Sequence, residues 1–153
     1  MRIVAQRVSS ARVWVEGEVA GEIGPGLCLL VGVGHRDTAE DADRLAEKIV
    51  GLRIFCKSDG SGGDGRMDCS LFDVGGAILA VSQFTLYADC KKGRRPSFTS
   101  AASAEKGREL YGRFVERSRE LGARVSTGVF GADMRLEITN EGPVTVILDS
   151  SEI

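Results

Sequence analysis

Residues 27–33 (LCLLVGV) are apolar throughout, with no alternation. A strand with one wet face alternates polar and apolar residues, because successive side chains point to opposite sides. This run therefore predicts a strand buried on both faces. Residues 77–84 (AILAVSQF) come after a turn at Gly75 and Gly76 and predict a second one. Such strands need cover on both sides, so the rest of the chain must supply it. With 153 residues, a single domain over 1–153 is expected, able to take about two thirds of its unfolded surface out of water.

The flanking sequence provides the covering elements. Residues 2–8 (RIVAQRV) and 11–15 (ARVWV) are β-branched and partly alternating, which predicts two strands. Glu16 and Gly17 read as a tight turn into a strand over 18–23, and Gly24, Pro25 and Gly26 punctuate again. Asp37 with Glu40 fits a capping box. Ala39, Ala42, Leu45, Ala46, Ile49 and Leu52 then recur at helical spacing, predicting an amphipathic helix over 38–53. A second helix over 103–121 gathers Leu110, Tyr111, Phe114, Val115 and Leu121 on one face, with Gly122 as its stop. Residues 58–65 (SDGSGGDG) predict a surface loop, and 124–128, 133–139 and 144–150 predict short strands. Strands at both ends with two helices between them predict an α+β fold with a curled, mostly antiparallel sheet.

Several function classes lose support at once. Net charge is −2 and the pI is about 5.5, so global charge does not favour indiscriminate nucleic-acid binding. A local basic patch remains open. No apolar run reaches membrane-spanning length, and the first residues lack the long apolar core of a signal peptide. Cys28, Cys56, Cys69 and Cys90 form no C-x-x-C pair, and no histidine lies at metal-ligand spacing. They read as buried or idle thiols in a reducing cytoplasm, with no metal and no cofactor expected. His35 is the only histidine and sits just before the first helix. A Ser-His-Asp or Cys-His enzyme would have to use it, and nothing near it supports that role.

Three stretches carry chemistry, each with a plain structural alternative, and a fourth only matches a motif by letter. Residues 60–65 spell G-x-G-x-x-G, but the next residues, RMDCSLFDVGG, do not look helical, so a surface loop is expected over a dinucleotide site. Lys91, Lys92, Arg94 and Arg95 form a basic cluster that could grip phosphates or be a solvated loop. Ser82, Gln83, Phe84 and Thr85 close an apolar strand with polar groups that could orient a carbonyl or a water, or merely satisfy a strand end. If the strand continues, Gln83 and Thr85 share one face and Ser82 and Phe84 the other. Residues 139–148 (TNEGPVTVIL) read as strand, break and strand, the break being Gly142 and Pro143. Pro143 donates no hydrogen bond. The two carbonyls there are pure acceptors that could capture an ammonium group on a backbone that cannot yield by changing rotamer.

Together these stretches resemble the D-aminoacyl-tRNA deacylase family along nearly the full length. The similarity is carried by residues 1–33, SQFTL at 82–86, KGRRPSF at 92–98, TGVFGADM at 127–134 and NEGPVT at 140–145. The resemblance implies that family's barrel-like α+β fold and a cytoplasmic homodimer. It implies hydrolysis of the ester joining a D-amino acid to the 3′-terminal adenosine of tRNA, sparing L-aminoacyl-tRNA. Clearing of mischarged glycyl-tRNA is left open. It further implies a cis bond between Gly142 and Pro143, presented as a chirality filter in the active site of the other subunit. Ser82, Gln83, Phe84 and Thr85 would face the scissile ester. Hydrolysis would be assisted by the tRNA 2′-hydroxyl and by backbone N–H groups near Phe84 and Thr85. Thr85 as a covalent nucleophile is the alternative, with no visible base. Phe130 and Met134 would contact the adenine or pack the core. No membrane or DNA partner is implied.

Competing readings are a non-catalytic dimer that binds RNA ends or small ligands, and a thiol or serine hydrolase of small esters. A sister deacylase with relaxed chirality and a trans Gly-Pro bond is a third.

Overall fold

The computed structural model describes residues 1–56 and 66–153. The Gly-rich motif at 60–65 and the whole of the loop expected over 58–65 lie outside the described residues. The chain opens with β1 (Arg2–Val15), β2 (Glu18–Ile23) and β3 (Gly26–Gly32), then α1 (Ala39–Gly51). It continues with β4 (Ala77–Ser82), α2 (Ala104–Glu120), β5 (Val125–Thr127) and β6 (Arg135–Asp149).

The expected double burial is present, and its cause is visible. Leu27, Leu29 and Val31 of β3, with Ile78 and Ala80 of β4, join a core under α1 and α2 that includes Leu45, Ile49, Leu110 and Phe114. The alternate residues Cys28, Leu79 and Val81 join a second core with Val8, Val13 and Ile23. Each side of these strands thus has its own apolar partner. Phe114 is fully buried, and its truncation to Ala would cost about 3–5 kcal/mol. Burial pushes the Cys28 thiol up to about 12, as suits a side chain that only packs.

The sheet runs β2-β1-β3-β4-β5, with β6 on the other side of β1. β1 pairs antiparallel with β2, β3 and β6, while β3–β4 and β4–β5 are parallel. The sheet curls until its far strands approach. The Ser126 hydroxyl on β5 donates to the Glu22 carbonyl on β2 at 3.0 Å. Gly21 is required there, since a Cβ would lie 2.5 Å from the Thr127 carbonyl oxygen. The result is the barrel-like α+β fold expected from the resemblance.

Four local expectations are corrected. The two strands expected over 2–8 and 11–15 are one strand, because β6 pairs along its length and register shifts absorb Arg7 and Ser9. The first helix is capped by Thr38, not Asp37. Asp41 accepts from the Thr38 N–H and hydroxyl, both at 2.9 Å, while Asp37 accepts from the Gly34 N–H at 2.6 Å. β4 ends at Ser82, and residues Phe84–Tyr87 coil into a 3-10 turn. The break at Gly142 and Pro143 does not separate two strands: it is an outward bulge within continuous β6. Register runs from Val8↔Asn140 to Gln6↔Thr145, so β6 advances five residues while β1 advances two.

Candidate active site

The parallel strands β3 and β4 end side by side, where the apolar run gives way to Ser82 and Gln83. The Gln83 N–H still donates to the Val31 carbonyl at 2.8 Å, the last ladder bond before the chain turns. A pocket of about 550 Å³ opens here. Its floor is Val31, Val33 and Val81, and its polar edge is Ser82 and Gln83 with Phe84. The start of α2 contributes Ser103, Ala104, Gly107 and Tyr111, and the loop before β6 contributes Phe130 and Met134. This size suits a drug-sized ligand.

The 3-10 turn changes what the polar residues can do. The first residues of such a turn have no carbonyl behind them to bond, so the N–H groups of Phe84 and Thr85 lack intrahelical partners. The expected alternation of faces over 82–85 therefore fails. Instead the Gln83 side-chain amide donates to the Thr85 hydroxyl at 2.5 Å. Thr85 is exposed and is not part of the pocket lining. Phe84 is 58% exposed at the mouth, edge-on to Phe98 with ring centres 5.1 Å apart.

The opposite wall is aromatic. Phe130 lies 5.9 Å from the Tyr111 ring, and the Arg108 guanidinium sits 4.8 Å over the Phe130 ring. A Cβ on Gly107 would meet Phe130 at 3.3 Å, so a small residue there lets the ring lie against α2. The Tyr111 hydroxyl donates to the Ala80 carbonyl at 2.9 Å, and burial pushes its pKa up to about 12. It therefore holds the pocket wall and does not trade protons near neutral pH. Met134 lines the pocket and packs on the second core, so it is available to a ligand while serving the core.

The pocket brings Ser82, Gln83, Phe84, Phe130 and Met134 together, and Thr85 stands at its edge. Gly142 and Pro143 do not line it. Their bond is cis, both residues are exposed, and Gly142 has φ +120°. Arg7, opposite the bulge, grips it: its Nε donates to the Glu141 carbonyl at 3.1 Å and its Nη1 to the Ile54 carbonyl at 2.7 Å. Arg7 escaped the sequence reading because nothing local ties it to a segment more than a hundred residues away. Asp133 and Ser103 also line the pocket unforeseen, although Asp133 lies inside the TGVFGADM stretch.

No histidine or cysteine among the described residues lines the pocket. His35 is exposed, with Nδ1 3.1 Å from the Ser100 carbonyl oxygen. Among the described residues no cluster of His, Cys, Asp or Glu could hold a metal, and no helix is long and apolar enough to cross a membrane. Lys91, Lys92, Arg94 and Arg95 are exposed and, among the described residues, form no ion pair. Their loop is anchored where Asp89 and Ser97 exchange backbone hydrogen bonds of 2.7 and 2.9 Å.

Fold and pocket define a curled-sheet α+β protein with a pocket that opens where its parallel strands end, walled by aromatic side chains and, among the described residues, lined by no histidine or cysteine. Residues 4–149 match the model of the D-Tyr-tRNA(Tyr) deacylase family, and the chain belongs to that family. It is 55% identical to the D-aminoacyl-tRNA deacylase of Bacillus velezensis, over 99% of this chain and 100% of that one. It is 53% identical to the D-aminoacyl-tRNA deacylase of Thermotoga petrophila, over 100% and 99% respectively. Among solved structures, it resembles the c-Myc DNA Unwinding Element Binding Protein with a TM-score of 0.88 and 38% identity, over 97% of this chain and 98% of that one. A probable eukaryotic D-amino acid tRNA deacylase shares the fold, with a TM-score of 0.81 and 22% identity over 96% and 97%.

Proposed function

We propose that this chain, as a single-domain homodimer in the cytoplasm, hydrolyses the ester of D-aminoacyl-tRNA, releasing free D-amino acid and tRNA and sparing L-aminoacyl-tRNA. The observation that carries this reading is the pocket edge, where two N–H groups without intrahelical partners stand beside Ser82 and Gln83 in a chain of the deacylase family. The 3′-terminal adenosine would lie against Phe130 and Met134, with the scissile carbonyl toward Phe84 and Thr85. Water adds to that carbonyl, and the N–H groups of Phe84 and Thr85 receive the charge on its oxygen. One such donor is typically worth about 3–4 kcal/mol. Collapse releases the ribose 3′-oxygen, and the vicinal 2′-hydroxyl assists. An aminoacyl ester is already reactive, so no protein nucleophile is required, and Thr85 supports the turn through Gln83.

Selectivity belongs to the bulge on β6. Gly142 and Pro143 are exposed and absent from their own pocket, which supports delivery into the pocket of the second protomer. Among the described residues β6 pairs only with β1, so its outer edge is open, and Ile147 on it is 68% exposed. The carbonyls of Gly142 and Pro143 would accept from the α-ammonium of a D-substrate. An L-substrate in that pose would drive its side chain into backbone that has no rotamer to change. Glycine lacks that side chain, so glycyl-tRNA would also be a substrate. The four cations at 91–95 would hold tRNA phosphates.

The decisive experiment is side-by-side deacylation of D-tyrosyl-tRNA and L-tyrosyl-tRNA by purified protein without added metal. Rapid loss of the D-ester alone is expected. Survival of both esters would overturn the catalytic reading in favour of an RNA-end binding protein.

A further inference from the structure

The arginines of α2 are not equivalent. Arg113 pairs with Asp43 at 2.6 Å, Arg117 with Glu47 and Glu120 at 2.6 and 3.1 Å, and Arg119 with Glu116 at 2.8 Å. Arg108 alone has no carboxylate partner among the described residues, although α2 is rich in glutamate. It is exposed, and its guanidinium lies 4.8 Å over the ring of Phe130, which lines the pocket. Its neighbour Gly107 lines the pocket too. A planar cation held on an aromatic face is oriented in advance, and its outward N–H groups remain free to donate.

The pocket itself does not suit an anion. Asp133 is the one charged residue among its described lining, and the walls are largely apolar and aromatic. A neutral nucleoside fits inside such walls, while a negative group attached to it belongs at the rim. Resting on the reading that the pocket takes the terminal aminoacyl-adenosine, we propose that Arg108 binds the 5′-phosphate of that nucleoside. In tRNA this group is the phosphodiester joining the last two nucleotides. The guanidinium can donate two parallel N–H bonds to the non-bridging oxygens, a geometry that lysine cannot reproduce. Arg108 is a binding residue that sets how far the acceptor end enters, and it takes no part in the bond breaking.

The test uses equilibrium binding of adenosine 5′-monophosphate and of adenosine, so that it does not require turnover. The intact protein should bind the monophosphate about tenfold more tightly than adenosine at low salt, and the margin should shrink as salt screens the exposed charge. Arg108→Ala should remove that margin and leave adenosine binding unchanged, and Arg108→Lys should keep part of it. Equal affinities in the intact protein would overturn the proposal. So would equal weakening of both ligands by Arg108→Ala, since that would mean Arg108 acts only by holding Phe130. Hydrolysis of D-tyrosyl-tRNA is measured separately, so loss of the catalytic reading and loss of the phosphate contact are distinguishable.

Discussion

The two ends of the proposed chemistry are built in opposite ways. The turn at Phe84–Tyr87 follows directly on buried β4, and Ser82, Gln83 and Phe84 line a pocket of their own chain. The bulge at Gly142 and Pro143 is exposed, sits on a strand that among the described residues pairs only with β1, and does not line that pocket. In the proposed mechanism one would provide donors to a developing negative charge, the other acceptors to a positive one. If both assignments hold, their separation predicts that rate and chirality can be damaged independently.

The largest effect is expected at the bulge. A Cβ on Gly142 would stand 2.9 Å from Val144 Cγ2 and 3.0 Å from Arg7 Nη2, at a φ of +120° that L side chains rarely adopt. Gly142→Ala should therefore shift the carbonyls, and a displacement near 1 Å costs about 100-fold where orientation matters. The ratio of D- to L-tyrosyl-tRNA hydrolysis should fall by about that factor. An unchanged ratio would remove the bulge from the selectivity assignment. Releasing the grip by Arg7→Ala should move the ratio in the same direction by less, because the backbone keeps its conformation.

At the turn, Thr85→Ala removes the acceptor of the Gln83 amide and nothing else that faces the pocket. One hydrogen bond of about 1 kcal/mol corresponds to about a fivefold fall in kcat, with the D-to-L ratio unchanged. Near-total loss would instead make the Thr85 hydroxyl the nucleophile. A single-turnover assay of both esters reads rate and ratio together and so keeps the two regions apart.

The basic loop should affect neither property. Arg94→Ala with Arg95→Ala is expected to weaken tRNA binding equally for both esters, and most visibly through salt. The slope of log affinity against log salt should flatten by about 0.7–0.9 for each phosphate that is no longer neutralised. An unchanged slope would leave 91–95 as a solvated loop.

Legibility in the sequence tracks the range of each interaction. The double burial of β3 and β4 was readable because an unbroken apolar run has a single physical meaning. Both helices were readable from spacing, within a residue or two at their ends. The misreadings were tertiary. Asp37 looked like a cap, but its carboxylate is engaged by Gly34 and by the Tyr87 hydroxyl at 3.2 Å, so Thr38 took the cap position. Strand propensity extends through 82–85, but the strand ends at Ser82 and a turn begins at Phe84. Gly142 and Pro143 looked like a divider because a local reading cannot see that β1 pairs on both sides of them. Arg7 meets the bulge, and Arg108 the Phe130 ring, across distances in sequence that leave no local signature.

The smallest effect is expected at the cap of α1, which lies outside both regions and serves as their control. Burial raises the Asp41 pKa, but hydrogen bonds from the Thr38 N–H and hydroxyl and from Arg44 outweigh it and bring it down to about 2. A carboxyl held below its unfolded value near 3.8 stabilises the fold fully above that value, and the contribution fades as pH falls through about 2. Asp41→Asn should therefore cost about 1 kcal/mol at neutral pH, a Tm drop of a few degrees, about 2–4 °C. The gap between the two proteins should close as the pH approaches 2. Rate and D-to-L ratio at neutral pH should both stay unchanged, because Asp41 lines neither the pocket nor the bulge. A change in either would mean that the end of α1 is mechanically coupled to the turn through Asp37 and Tyr87, and that the two regions share more of the fold than their separation implies.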